Sequence, residues 1–440
     1  MLVLVRRTYL VLLLFLTCIA LSASAAQFKV GFAQSDITPT KPMPMWGYGA
    51  RHNALSEGVR DPLFAKAVVI DVGEEKAALV GLDLGRSPRP EQVDRIRAAV
   101  KEKAGVGFIL LVGSHTHHGP VLELKDEPEK GKGVYDDAVA YTKTLESKLI
   151  DVIVAAAANV EDARIGWGSA NVPMNRNRHT KIEPKVTDSE LTVLRFDDAD
   201  GNPVTLVVNY AAHPTMHPGE DLRFSAEYPG QMMNEVARLM GTQCVFLQGA
   251  AGDMSCNPPP ETKGIEAFGK ALAAEVVKIA QEIETKTPEE PSIQGVDEDF
   301  ALKTRLDFTN PLLRELFKQA FFPELAMAYM DELEGNIIRP HLTTLLINKE
   351  LAIVGGSGEF FCEHANRLKE RARIPKTLFA GYCNGHHMYF PTIEGAAEGG
   401  YGADATVSWV PVGTGELMMN RALVNIYTML GKYDFTLPEI

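Results

Sequence analysis

Cysteine is scarce in this sequence, and its spacing excludes one common class of metal site. Five cysteines occur in 440 residues, and no two of them form a C-x-x-C pair. Structural zinc held by thiolates uses such closely spaced pairs, so we do not expect it here. Four cysteines follow the first 25 residues, and their wide spacing fixes no disulfide pairing; they are Cys244, Cys256, Cys362 and Cys383.

Basic residues and long apolar runs are also in short supply. The 57 Asp and Glu outnumber the 44 Lys and Arg, which gives a formal net charge of −13. Binding to a phosphate backbone needs clustered Lys and Arg, so nucleic acid is excluded as a partner. After the first 25 residues no apolar run reaches the roughly 20 residues that a membrane-spanning helix needs. We therefore expect no transmembrane segment in the mature chain.

The first 25 residues have the pattern of a secretory signal peptide. Arg6 and Arg7 precede a mostly apolar run from Tyr9 to Leu21, and a small-residue cleavage site follows at Ala23-Ser24-Ala25. The apolar run is shorter than a membrane anchor requires. We expect residues 1–25 to be removed, the protein to be exported to the periplasm or the extracellular space, and residues 26–440 to form a single catalytic domain.

Histidines cluster where an apolar strand is predicted to end. The stretch FILLVGSHTHHGP begins at Phe108, and its apolar run predicts a strand buried on both faces. His115, His117 and His118 follow directly after Gly113. In open α/β sheets ligands bind beyond the carboxyl ends of strands, so the cluster indicates a metal or acid/base site. A polar loop of hydrogen-bonded histidines is the alternative.

The same arrangement recurs along the chain. Apolar strands are predicted at residues 205–209, 245–247, 351–354 and 377–380, and each is followed by polar side chains. The side chains that follow these strands are His213 and His217, Ser255, Glu359, and then His386, His387, Tyr389 and Tyr401. With amphipathic helices between the strands, we predict an α/β fold in which a mixed sheet core is flanked by helices and the site lies at strand ends.

Taken together, these motifs resemble the neutral/alkaline, non-lysosomal ceramidase family over most of the mature chain. Each motif is weak alone, but they occur in the order that the family shows. The matching pieces are D-I-T-P at Asp36, S-H-T-H-H-G-P at Ser114, N-R at Asn175-Arg176, A-H-P-T at Ala212, S-A-E-Y-P-G at Ser225, G-D-M-S at Gly252, G-E at Gly358-Glu359, and the pair Tyr389 and Tyr401. The resemblance covers the catalytic domain, without the further β-sandwich domain of full-length ceramidases.

The resemblance implies a secreted, zinc-dependent amidohydrolase that cleaves the N-acyl amide bond of ceramide to sphingosine and a fatty acid. It implies four zinc ligands, which are His115, His213, Glu359 and Tyr389. It implies three groups that position the substrate and stabilise charge, which are His117, Arg176 and Tyr401. Ser255 matches the essential serine of the family. The implied partner is a lipid or small-molecule amide, with peripheral contact to a membrane as a further expectation.

The chemistry of these residue types agrees with that assignment. Two imidazoles and a carboxylate form a common catalytic zinc set that leaves a position open for water. Ser255 is either a nucleophile or a hydroxyl that binds the substrate. We favour the second reading, because a serine nucleophile needs a nearby base and the metal would occupy the nearest imidazoles.

Three departures from the family pattern touch the rim of the predicted cleft. They are His118 in place of serine, Glu227 in place of aspartate, and Cys256 in place of proline. Phe321, Phe322, Met327 and Trp46 are candidates to line or border an apolar cleft, and each also fits core packing. Two other functions therefore stay open: a related zinc hydrolase acting on another amide or ester, and a non-catalytic binding protein that zinc stabilises.

Overall fold

The computed structural model of the chain describes residues 27–123, 133, 135–320, 330 and 332–433. The predicted signal peptide lies outside these residues, as do Phe321, Phe322 and Met327. The described residues form runs of strands that are separated by α-helices.

The strands are β1 (Lys29–Asp36), β2 (Gly58–Val59), β3 (Phe64–Asp71), β4 (Lys76–Leu82), β5 (Phe108–Gly113), β6 (Glu161–Asn171), β7 (Asn175–Asn177), β8 (Glu190–Asp198), β9 (Pro203–Tyr210), β10 (Arg223–Phe224), β11 (Cys244–Gln248), β12 (Met254–Cys256), β13 (Ile293–Asp299), β14 (Leu302–Lys303), β15 (Ile337–Ile338), β16 (His341–Ile347), β17 (Leu351–Gly356), β18 (Glu359–Phe360), β19 (Lys376–Ala380) and β20 (Tyr389–Phe390). The helices are α1 (Pro90–Ala104), α2 (Asp136–Ala158), α3 (Glu227–Met240), α4 (Ile265–Glu282), α5 (Pro311–Ala320), α6 (Cys362–Ala372), α7 (Ile393–Glu398) and α8 (Thr414–Met429).

Two mixed sheets form the centre of the fold. The larger has the strand order β11-β9-β8-β6-β1-β3-β4-β5, and the smaller has the order β13-β16-β17-β19. Most neighbours are antiparallel, but β4 with β5, β9 with β11, and β17 with β19 are parallel. The prediction of a mixed α/β fold with flanking helices is confirmed.

The sheets and helices stack in four layers. Strand residues alternate between the two faces of a sheet, so in the smaller sheet Leu345 and Ile353 pack against the larger sheet while Leu346 and Val354 pack against α6 and α8. On the outer face of the larger sheet, α1 and α2 cover one part and α3 and α4 cover the other. Both sheets are therefore buried on both faces, which explains their continuous apolar runs.

The carboxyl ends of the three parallel strand pairs converge. The larger sheet bends until β4 lies against β11, and a Cβ on Gly81 would come within 2.5 Å of the Phe246 carbonyl oxygen. The smaller sheet joins them beyond the strand ends, where Gly113 donates to the Tyr382 carbonyl and Gly381 donates to the Gln248 carbonyl. Loops after β5, β9, β11, β17 and β19 therefore meet in one place.

Candidate metal centre

His115 reaches this meeting point through a strained backbone. It lies two residues after β5 with φ at +66°, a region that L residues rarely adopt. Its backbone N–H donates to the Leu84 carbonyl at 3.0 Å, and its Nδ1 lies 2.7 Å from the Gly85 carbonyl oxygen. A carbonyl can only accept, so Nδ1 carries the proton and Nε2 of the neutral ring is a lone pair.

His213 mirrors His115 from the other side. It follows β9, its backbone N–H donates to the Met254 carbonyl at 3.0 Å, and its Nδ1 donates to the Ala251 carbonyl at 2.7 Å. The two Nε2 atoms face each other at 3.0 Å. Two lone pairs at this distance repel each other, and a cation bound between them would remove that repulsion.

Glu359 completes a triangle of donor atoms. Its Oε2 lies 3.4 Å from Nε2 of His115 and 3.4 Å from Nε2 of His213. This oxygen is buried and has no hydrogen-bond partner among the described residues. Tetrahedral ligands at the usual 2.0–2.1 Å from zinc stand roughly 3.3 Å apart. The donor set and its spacing therefore fit a divalent metal ion.

Tyr389 and Tyr401 lie at the edge of this triangle. Tyr389 is buried in β20, which pairs in parallel with β18 so that Tyr389 stands opposite Glu359. Burial and the charge of Glu359 raise the pKa of Tyr389 well above its usual value. The Tyr401 ring packs edge-on against it at 5.5 Å and is largely exposed. The structure thus brings both tyrosines to the predicted site.

His117 contacts the triangle but differs from the other two imidazoles. Its Nε2 lies 3.3 Å from Nε2 of His115, so His115, His117 and His213 form a second possible ligand set. However, its Nδ1 is buried without a hydrogen-bond partner in the part of the chain that the structure describes. Metal-binding histidines almost always fix their second nitrogen on an oxygen. His117 therefore suits proton transfer better than metal binding.

Arg176 is not brought to the donor triangle, and Arg178 is. Side chains alternate along β7, and Arg176 is exposed between the buried Asn175 and Asn177. The chain then turns, and Nη2 of Arg178 lies 3.2 Å from Nε2 of His213 and 3.3 Å from the Tyr389 hydroxyl. Because side chains alternate along the strand, position 176 points outward, and Arg178 lies at the triangle where Arg176 was predicted. Both arginines belong to the N-R-N-R motif that begins at Asn175.

Ser255 lies beside His213 without a base. It forms a bridge with His213 through the backbone and pairs with Arg176 in the β7–β12 ladder. Among the described residues its hydroxyl makes no hydrogen bond to an imidazole. The imidazoles of His115 and His213 instead contact each other and backbone carbonyls, and His213 also contacts Arg178. This arrangement agrees with a hydroxyl that binds the substrate.

His386 joins the site although none of the matching sequence motifs contains it. It is 1% exposed, and its Nε2 lies 3.3 Å from Oε1 of Glu359, the oxygen that faces away from the triangle. In the sequence, only its position after β19 points to a role at the site, and the adjacent His387 has the same position. His387 instead packs on Ser357, whose Oγ lies 2.8 Å from its Nδ1.

Burial sets the charge of these imidazoles. Desolvation lowers the pKa of His213, His117 and His386 below the usual value. At neutral pH they are therefore uncharged, which is the form that binds a metal. Burial opposes ionisation of Glu359, but the surrounding imidazoles, including that of His386 beside its Oε1, favour the carboxylate and hold the pKa of that carboxyl below its usual range.

The three residues that differ from the family pattern make contacts around the site and not within the donor triangle. His118 is buried with its Nε2 2.7 Å from Nη2 of Arg51, and Glu227 accepts the backbone N–H of His217 at 2.8 Å. Cys256 comes closest to the ligands, since its Sγ lies 3.4 Å from the His213 carbonyl oxygen. No described hydrogen bond joins any of the three side chains to a donor atom of the triangle.

Two proteins of known function that are similar to this chain are neutral ceramidases. Neutral ceramidase of Drosophila pseudoobscura pseudoobscura is 29% identical over 230 residues, which are 46% of this chain and 31% of the fly protein. Neutral ceramidase of Drosophila melanogaster is 27% identical over 216 residues, which are 43% of this chain and 29% of that protein. The aligned part thus spans about a third of the length of these relatives. No protein-family model matches the chain.

Solved structures extend the similarity to nearly the whole chain. The crystal structure of neutral ceramidase from Pseudomonas aeruginosa has a TM-score of 0.74 and 18% identity, covering 94% of this chain and 76% of that one. A ceramidase in complex with C2 has the same TM-score and 17% identity, covering 94% and 77%. The chain therefore has the fold of these neutral ceramidases over nearly its whole length and is similar to neutral ceramidases in sequence over part of it, as its motifs predicted.

Proposed function

We propose that this protein hydrolyses the N-acyl amide bond of ceramide, adding water to release sphingosine and a fatty acid, at a zinc ion held by His115, His213, Glu359 and Tyr389. The observation that carries the proposal is the pair of facing Nε2 atoms at 3.0 Å with a buried carboxylate oxygen beside them. The substrate class comes from the relatives, which are neutral ceramidases.

The residues around the triangle have separate tasks in this proposal. A bound zinc ion lowers the pKa of water and polarises the substrate carbonyl. Arg178 adds a positive charge within 3.3 Å of both His213 and Tyr389, and we assign it to the carbonyl oxygen as negative charge develops there. Tyr401 is a second donor to the same oxygen. Ser255 binds the substrate through its hydroxyl.

His117 moves the proton in this proposal. Its pKa is lowered by burial, so the resting ring is neutral and can accept a proton as water attacks. The same ring then gives that proton to the nitrogen of the leaving amine. The unpartnered Nδ1 leaves its tautomer free to change, unlike those of His115 and His213.

A substrate panel tests the proposal. The purified, zinc-loaded protein is offered short- and long-chain ceramides in detergent micelles beside N-acyl amino acids and simple esters, and released amine and acid are measured. Turnover of the ceramides supports the proposal. Turnover confined to small water-soluble amides or esters would replace ceramide with the second candidate, a related zinc hydrolase.

The non-catalytic alternative predicts something different. A structural zinc site is closed by four strong protein ligands and needs no cation or free imidazole beside it. Arg178 and His117 next to the triangle therefore favour catalysis. Stoichiometric zinc without turnover of any substrate in the panel would favour the binding protein.

Lipid presentation is part of the proposal. Among the described residues no helix is long and apolar enough to cross a membrane. Leu312 and Leu316 lie one turn apart on α5 and are 68% and 54% exposed. We propose that this face makes peripheral contact with a micelle or bilayer, and that replacing both leucines with serine reduces co-sedimentation with vesicles.

Export is the remaining element of the proposal, and it rests on residues 1–25 alone. The charged start, apolar run and A-S-A site support removal near Ala26. N-terminal sequencing of protein from its native host tests it, and a mature chain that begins at Met1 or Leu2 would contradict it.

A further inference from the structure

His386 lies in a turn whose backbone conformation is strained. The turn follows β19 and holds Tyr382 at φ +54°, Asn384 at +53° and Met388 at +63°. Non-glycine residues adopt such angles at a cost of order 1–3 kcal/mol each, and they persist only where neighbouring contacts hold them. Three of them within seven residues indicate that the position of this turn matters.

Asn384 ties the turn to the strand that delivers His115. Its Oδ1 accepts the Leu111 N–H at 2.9 Å, its Nδ2 donates to the Ile109 carbonyl at 2.7 Å, and its backbone N–H donates to the Leu111 carbonyl at 3.0 Å. The side chain thus pairs with β5 as a strand would. The turn and the first ligand are therefore held by the same strand.

His386 contacts Oε1 of Glu359, the carboxylate oxygen that is not part of the donor triangle. Oε2 of Glu359 faces His115 and His213, and Oε1 lies 3.3 Å from Nε2 of His386. The imidazole is itself fixed, since it stacks nearly parallel to His115 at 6.0 Å and meets Trp46 edge-on at 5.7 Å. A neutral imidazole can donate one N–H to Oε1.

We propose that His386 is a positioning residue that holds Oε1 of Glu359, so that this carboxylate offers only Oε2 to the metal. A single-oxygen ligand leaves more room for water and substrate than a carboxylate that binds through both oxygens. Groups that orient a ligand in this way typically contribute 10–100-fold to metal affinity. This inference rests on the proposed metal centre and adds a residue to it.

Zinc affinity measured by competition with a chromophoric chelator tests the inference. We expect His386→Ala and His386→Asn, which cannot reach Oε1, to weaken zinc binding 10–100-fold. His386→Gln, which places an N–H donor near the original Nε2, should stay within about threefold of the parent protein. His387→Gln is the matched control, because His387 lies in the same turn and contacts Ser357 instead of Glu359. Its affinity should not change.

Cobalt spectra separate positioning from ligation. His115, Glu359 and His386 also form a group whose donor atoms lie close enough to hold an ion. If His386 were a ligand, His386→Gln would lose affinity like the alanine variant and would change the visible spectrum of the cobalt-loaded protein, which would overturn the inference. Parent-like affinity in His386→Asn would overturn it too. If the parent protein bound no metal, the proposed function would fail and the inference with it.

Discussion

At the scale of single residues, the two arginines of the N-R-N-R motif differ in whether they reach the donor triangle. Arg178 contacts His213 and Tyr389, whereas Arg176 is exposed on β7. We expect Arg178→Ala to lower kcat/KM on a micellar ceramide about 100-fold or more, because a charge-stabilising donor is lost. Arg176→Ala is the matched control and should stay within about threefold. A larger loss in Arg176→Ala than in Arg178→Ala would restore the motif-based assignment.

His117 can be distinguished from the ligands by metal analysis. Since its Nδ1 is not fixed on a carbonyl, we expect His117→Ala to keep one zinc per chain while kcat falls about 100-fold, the usual loss for a general acid or base. His213→Ala should lose zinc and activity together. Loss of zinc in both variants would make His117 a ligand and would leave proton transfer to another group.

At the scale of elements, the sequence predicted the apolar strands but not which strands pair with each other. The run from Phe108 to Val112 is buried on both faces, so the sequence alone indicated both the strand and the exit of His115. Residues 293–299, by contrast, are mostly polar, yet β13 pairs along its whole length with β16. Its partner lies more than 40 residues away, and no local pattern identifies it.

The same limit explains the site residues that were missed. Which of Arg176 and Arg178 points inward depends on the pairing of β7 with β12, which lies 77 residues further along the chain. His386 depends on a turn with positive φ at residues other than glycine, which sequence patterns do not indicate. His115, His213 and Glu359 could be predicted from the sequence because each comes soon after an apolar strand.

The bend that joins the two halves of the larger sheet is also testable. At Gly81 in β4 an added Cβ would meet the Phe246 carbonyl at 2.5 Å, so Gly81→Ala must push β4 and β11 apart. We expect it to lower the free energy of unfolding by about 1–3 kcal/mol. At Gly107 a Cβ meets no atom closer than 3.7 Å, and Gly107→Ala should be close to neutral. Urea denaturation compares the two, and equal effects would contradict the tight approach.

At the scale of the whole molecule, a buried carboxyl makes stability depend on pH. Burial raises the pKa of Asp83 to about 7, although Lys66 and the Phe64 N–H favour the charged form. The folded protein holds this proton more tightly than the unfolded chain, so the contribution of Asp83 is full below about pH 4 and is lost as pH rises to 7. The loss is at most about 1.4 kcal/mol per pH unit.

Asp83→Asn removes that dependence and keeps an oxygen that can accept the Phe64 N–H. The free energy of unfolding of the variant, relative to the parent protein, should therefore increase between pH 5 and pH 7.5. Urea titrations at both pH values measure it. An identical difference at the two pH values would show that Asp83 is charged in the folded protein throughout this range.

The central claim is that one metal ion at His115, His213 and Glu359 supports amide hydrolysis. The most direct test is to strip the purified protein with a chelator and titrate it with zinc, following bound metal and sphingosine release from a micellar ceramide in the same samples. We predict no turnover without metal and a linear rise in turnover that ends at one zinc per chain. Full turnover in the metal-free protein, or none at one equivalent of bound zinc, would contradict it.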